Sequence, residues 1–87
     1  MIHARTDYNR IQDPEGLIPE DEPVFLLRGK DVFAPDTVRM WATFVAASGD
    51  TALANHIRRW ADKMELYQKE NGSKVPDTPY EYFHKDD

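Results

Sequence analysis

Two stretches of helical periodicity meet at Gly49-Asp50, and so short a connection between helices requires an antiparallel hairpin. The first stretch begins at Ala34-Pro35-Asp36-Thr37, with proline at the first helical position and an acid against the positive end of the helix dipole. It is expected to run to about Ser48, where Gly49 ends it, because glycine adopts a left-handed C-cap without steric cost. Val38, Trp41, Phe44 and Val45 recur at helical spacing and predict its buried face, with Met40 off that stripe. Asp50 is placed to cap the second helix by accepting from the N–H of Ala52 or Leu53, and Asn71-Gly72 stops it. Within the second helix Leu53, Ile57, Trp60, Met64 and Tyr67 alternate spacings of four and three, a seam of the kind helices use against one another. Arg58 with Asp62 and Glu65 with Lys69 form i,i+4 pairs and read as solvated surface.

Upstream, Pro23-Val24-Phe25-Leu26-Leu27 places four large apolar residues in a row after a proline, which predicts one short buried strand. Its C-terminal end delivers Arg28 and Lys30 on either side of Gly29. Residues 1–22 read as an irregular arm with a turn at Asp13-Pro14-Glu15-Gly16, ordered only if Tyr8, Ile11, Leu17 and Ile18 find a groove. Residues 73–87 form a tail with Tyr80, Tyr82 and Phe83, either folded back on the hairpin or free to stack on a ligand or dock on a partner. The expected fold class is α+β and mostly helical: one short strand (within 23–72) followed by an antiparallel helical hairpin, flanked by arm and tail, in a single small domain.

A chain of 87 residues buries only about 60 to 65% of its unfolded surface. A strand and a hairpin make a thin core, so a homo-oligomer is expected, formed by the strand pairing with its own copy or by the Trp41 and Trp60 faces meeting a second hairpin. The absence of cysteine removes disulfides and thiolate metal sites. Sixteen acidic against eleven basic residues give a net charge of -5, which opposes attraction to duplex nucleic acid or an anionic bilayer. Apolar runs fall far short of the roughly 20 residues a membrane span needs, and Met1 to Asp7 lacks the apolar core of a signal peptide. These features predict a cytoplasmic protein.

His3, His56 and His84 share no metal-ligand spacing, Ser48 and Ser73 lack a nucleophile-elbow context, and no phosphate-binding glycine loop occurs. The residues thus offer no positive signal for an enzyme, a cofactor or a metal. One constellation is more suggestive. His56, Arg59 and Lys63 line one edge of the second helix at about 100° per residue. If that edge faces Arg28 and Lys30, of the same or a neighbouring subunit, the outcome is a basic pocket. Its cations would hold phosphate while Trp41, Trp60 or a tail tyrosine stacks on a base. The plainer reading of the same residues is a snorkelling helix flank.

The segment Pro19-Glu20-Asp21-Glu22-Pro23-Val24-Phe25-Leu26-Leu27-Arg28-Gly29-Lys30-Asp31, with the Ala34-Pro35 helix start and Val38-Arg39-Met40-Trp41-Ala42, resembles short proteins of bacteriophages and prophages. Such accessory proteins are often counter-defence factors, and one class, by analogy of attributes, sequesters nucleotide-derived immune signals. The resemblance implies a non-enzymatic phage or prophage protein of the bacterial host cytoplasm. The resemblance itself assigns no residue; with the constellation above, the expectation is a small anionic ligand, of cyclic or ADP-ribose nucleotide type, bound at subunit interfaces through Arg28, Lys30, His56, Arg59, Lys63, Trp41 and Trp60. The rival is an inhibitor docking on a host defence protein through its acidic arm and aromatic tail. A small hydrolase is the third reading.

Overall fold

The structure, a computed structural model, describes residues 1–6 and 13–75. They fall into two compact units, one comprising residues up to 26 and the other beginning at Leu27. Tyr8, Ile11 and the tail aromatics Tyr80, Tyr82 and Phe83 lie outside the described residues.

In the first unit, β1 (Ile2–His3) pairs in parallel with β2 (Pro23–Val24), in the register Ile2 to Pro23 and His3 to Val24. The Ile2 N–H donates to the Glu22 carbonyl at 2.7 Å and the Ala4 N–H to the Val24 carbonyl at 3.1 Å. The arm therefore contributes a strand. The turn at Asp13 forms as expected: Gly16, at φ +63°, donates its N–H to the Asp13 carbonyl. The Asp13 carboxylate accepts from the N–H groups of Leu17 and Ile18 at 3.2 and 2.9 Å, so one side chain closes the turn on both oxygens.

The expected buried strand over Val24 to Leu27 is corrected to two residues. Phe25 and Leu26 are exposed because β2 pairs with a strand only two residues long, and past Val24 the run has no ladder among the described residues.

The second unit is the helical hairpin, α1 (Ala34–Ala47) and α2 (Thr51–Asn71). Pro35 opens α1 with Asp36 in the first turn, and the Thr37 hydroxyl donates to the Phe33 carbonyl at 2.7 Å. Gly49, at φ +106°, makes the reversal that a side chain would resist, and Asp50 accepts from the Leu53 N–H at 3.0 Å. Gly72 then stops α2 at φ +80°. The turn at 28–31 docks on the C-terminal half of α2: the Gln68 amide donates to the carbonyls of Gly29 and Asp31 at 2.9 and 2.8 Å, and Gly29 lies against Met64. Past Gly72 the chain returns beside this turn, where Lys74 N–H donates to the Lys30 carbonyl and Val32 N–H to the Lys74 carbonyl.

The helices meet through small residues. Ala34, Ala42, Ala54 and Ala61 are fully buried and Ile57 nearly so. Both expected buried faces need correction. On α1, Val38 and Val45 are half-buried while Trp41 and Phe44 are exposed. On α2, Ile57 is buried and Met64 half-buried, but Leu53, Trp60 and Tyr67 are exposed. The alanine rows let the backbones approach closely, and the large side chains flanking them are turned outward. The hairpin is real; its contact rows sit beside the stripes of large residues.

Candidate binding face

The hairpin has two unlike sides. On one, Arg39 of α1 reaches across to α2, donating to Glu65 from both guanidinium arms at 3.0 Å and to Asp62 at 3.0 Å. Asp36 lies at 3.6 Å from the same guanidinium. Glu65 holds its proton less tightly than an ordinary carboxyl, first because Arg39 donates a hydrogen bond to it and then by Coulomb attraction. Arg39 is pushed further up, by the hydrogen bonds to Glu65 and then Asp62. The expected Arg58–Asp62 pair is thereby corrected: Arg39 takes both acids, and Arg58 donates to Asn55 instead, while Lys69 acts on Glu65 through a Coulomb attraction smaller than that of Arg39. Sequence reading missed this clamp. Its signal was two acids three residues apart on α2 facing the one basic residue of α1.

The other side is apolar. At about 100° per residue, Trp41 is two residues past Arg39 and Trp60 two residues before Asp62, so each is turned roughly 160° from the ion-pair side. Leu53, Phe44 and Tyr67 fall on the same side by the same count. Trp41 is 56% exposed, Phe44 66% and Trp60 50%, so this unit leaves its largest side chains in contact with water.

At the margin of this face the Lys63 ammonium sits 4.7 Å from the Trp60 ring centre, a cation–π contact. The His56 ring lies on the same indole, its centroid 6.4 Å away and tilted by 33°. Three of the seven expected ligand contacts, His56, Trp60 and Lys63, are thus neighbours. Trp41 shares their side of the hairpin. Arg59, exposed, is turned roughly 140° around α2 from Met64, where the 28–31 turn docks. Arg28, exposed, and Lys30, half-buried, belong to that turn, so it does not stand on Arg59's side of the helix.

In the first unit, His3 is 8% exposed and its Nδ1 has no hydrogen-bond partner among the described residues. It lines an open cleft of about 260 Å³ with Ile2, Ala4, Pro23, Val24 and Phe25. Sequence reading set this histidine aside because it shares no metal-ligand spacing with His56 or His84; pairing of two distant segments buries it.

Among the described residues no group of His, Asp and Glu could hold a metal ion, and no helix is long and apolar enough to cross a membrane. No protein-family model matches the chain, nor does any curated protein or solved structure. The functional reading therefore rests on the geometry of the hairpin.

Proposed function

We propose that the protein acts by binding, and that the margin of its aromatic face holds a small anionic ligand carrying a planar base, of the nucleotide-derived kind. The observation that carries this reading is the gathering of Lys63 and His56 about the exposed Trp60. A base on the indole face and a phosphate on the adjoining cations would exploit both. Trp60 supplies the stacking surface, Lys63 the first charge contact, His56 a ring N–H donor beside it, and Arg59, one residue before Trp60, a further cation. Arg28 and Lys30 enter the shell if a neighbouring copy brings its 28–31 turn to this edge. A phage or prophage accessory protein that sequesters an immune signal without cleaving it would work in this way, inside the bacterial host cell.

The test is native mass spectrometry of the full chain with cyclic dinucleotides, ADP-ribose derivatives and linear nucleotides, read together with tryptophan quenching. With Trp41→Phe, Trp60 is the sole reporter, since the chain has two tryptophans. Binding of one unmodified ligand per site that is lost in Lys63→Glu supports the reading; equal affinity in Lys63→Glu and His56→Ala sinks it. Turnover of the ligand would favour a hydrolase. The rival reading, an inhibitor that docks on a host protein, has its own supporting observation in Glu20, Asp21 and Glu22, all exposed. It predicts that charge reversal at these three abolishes activity while Lys63→Glu does not.

A further inference from the structure

The inner rows of the hairpin and its aromatic side differ in a way that points to what covers the aromatics. Where α1 meets α2, the buried side chains are alanines with Ile57, a small apolar core for a unit of this length. Most of the large residues of the two helices, Trp41, Phe44, Leu53, Trp60 and Tyr67, lie on the side away from Arg39, Asp62 and Glu65, while Met40 and Leu66 are exposed elsewhere. On α2 they belong to the row Leu53, Ile57, Trp60, Met64 and Tyr67, whose spacings of four and three are those of a seam directed at the centre of a helical bundle. The row's graded burial fits that geometry. Ile57 is buried and Met64, which the 28–31 turn also touches, is half-buried, while the remaining three are exposed. A seam aimed between two neighbours is half covered when only one neighbour is present.

We propose that two copies of the chain pair through this face, hairpin against hairpin, into a four-helix bundle whose core holds Trp41, Phe44, Leu53, Trp60 and Tyr67. Charge favours a second copy as the occupant. The chain carries -5 overall, but residues 34–71 contain five basic residues (Arg39, Arg58, Arg59, Lys63, Lys69) and five acidic ones (Asp36, Asp50, Asp62, Glu65, Glu70). Two hairpins therefore meet with no net repulsion, and the Lys63 ammonium, 4.7 Å from the Trp60 ring centre, is on a stem long enough to keep its head in water. A two-fold interface must be self-complementary, and a purely apolar patch at helical seam spacing satisfies that against its own copy.

Area agrees. Aromatic side chains offer about 150 to 250 Å² each, so five large side chains roughly half exposed, with Met64, Val38 and Val45 beside them, supply on the order of 600 to 800 Å² per copy. A specific interface takes about that much from each partner. The proposal is drawn from the apolar face and does not rest on the ligand reading. His56 and Lys63 stand at the rim of the interface, where polar groups belong; Trp60, which the ligand reading leaves open for stacking, is covered by pairing, so a ligand on its indole and a second copy exclude each other, and ligand binding would show as dissociation of the dimer.

The test is sedimentation equilibrium of the full chain, with Phe44→Lys and Leu53→Glu on the aromatic face and Thr43→Glu on the ion-pair side as control. Positions 43, 44 and 53 are all exposed in the single chain, so each variant can keep its hairpin, checked by far-UV circular dichroism. The wild type should sediment at twice its 10.1 kDa, with tryptophan emission shifting to the red on dilution as the indoles meet water. Phe44→Lys and Leu53→Glu should weaken the dimer at least about a hundredfold, as loss of a buried interface anchor does, while Thr43→Glu leaves it intact. A monomeric wild type at about 100 μM, far above a micromolar Kd, overturns the proposal. So does an oligomer that survives both aromatic-face variants, or one that Thr43→Glu weakens as much as they do. A fully helical wild type that stays monomeric alone and pairs only with a different protein would transfer the face to a foreign partner and equally overturn it.

Discussion

The two sides of the hairpin join the same pair of helices with opposite materials. The Arg39 side reaches between them with charge: a single guanidinium spans Asp62 and Glu65, and both acids remain open to solvent. The Trp41 and Trp60 side makes no such bridge and leaves its bulk outward. An exposed ion pair contributes little to stability because water screens it and long side chains lose freedom in forming it, so it marks which faces of the helices meet without deciding it. The aromatic side has the reverse character. Its side chains have more to gain from burial than any others in the unit, yet the hairpin alone does not bury them. One side spans the helices with charge; the other holds unused apolar surface.

Substitutions separate these contributions. The largest effect is expected where the sides share a floor. Ala61→Leu places three extra carbons in a fully buried row and should cost about 2 to 3 kcal/mol, read as a lower urea midpoint with unchanged slope. An unchanged midpoint would mean that the helices are not packed on their alanines. Gly49→Ala comes next, at about 1 to 2 kcal/mol, because the turn at φ +106° has no comfortable conformation for a Cβ. Trp60→Ala tests the aromatic side by the form of its effect. Where two copies pair, its destabilisation grows with protein concentration, because association is linked to folding by mass action. In a monomer it would be the same at every concentration.

Arg39→Met is expected to be the mildest, lowering the melting temperature by a few degrees. Its signature is pH dependence. The folded-state value of Glu65 lies below its ordinary 4.5 because Arg39 donates to it. The stability this provides is fully present above 4.5 and is lost as the pH falls through the lower folded-state value. Wild type and Arg39→Met should therefore differ at neutral pH and converge in acid; a difference that persists in acid would show that Arg39 acts through its aliphatic stem.

The helix limits were legible because their causes are local. Pro35 presets the first turn, Gly49 takes the positive φ, Asp50 caps Leu53, and Gly72 ends α2. Each of these acts within four residues and needs no partner. The candidate site was legible in part for the same reason. His56, Trp60 and Lys63 are neighbours on one helix by spacing, and they are neighbours in the structure. Arg28 and Lys30 were another matter, since where a turn docks on a helix is decided by Gln68 and Met64, contacts more than 30 residues away in the chain.

By itself, then, the order of residues determined that two capped helices must fold back on each other, and that each carries apolar residues at helical spacing. Which of those residues touch was decided only in three dimensions. Each helix has a row of alanines beside a row of large side chains, and periodicity reports that both are apolar without saying which neighbour either will face. Close approach of the backbones through Ala42, Ala54 and Ala61 settled that choice. The strand shows the same limit from the other side: Phe25 and Leu26 have the composition of a buried strand, but a strand is made by its partner, and β1 is two residues long.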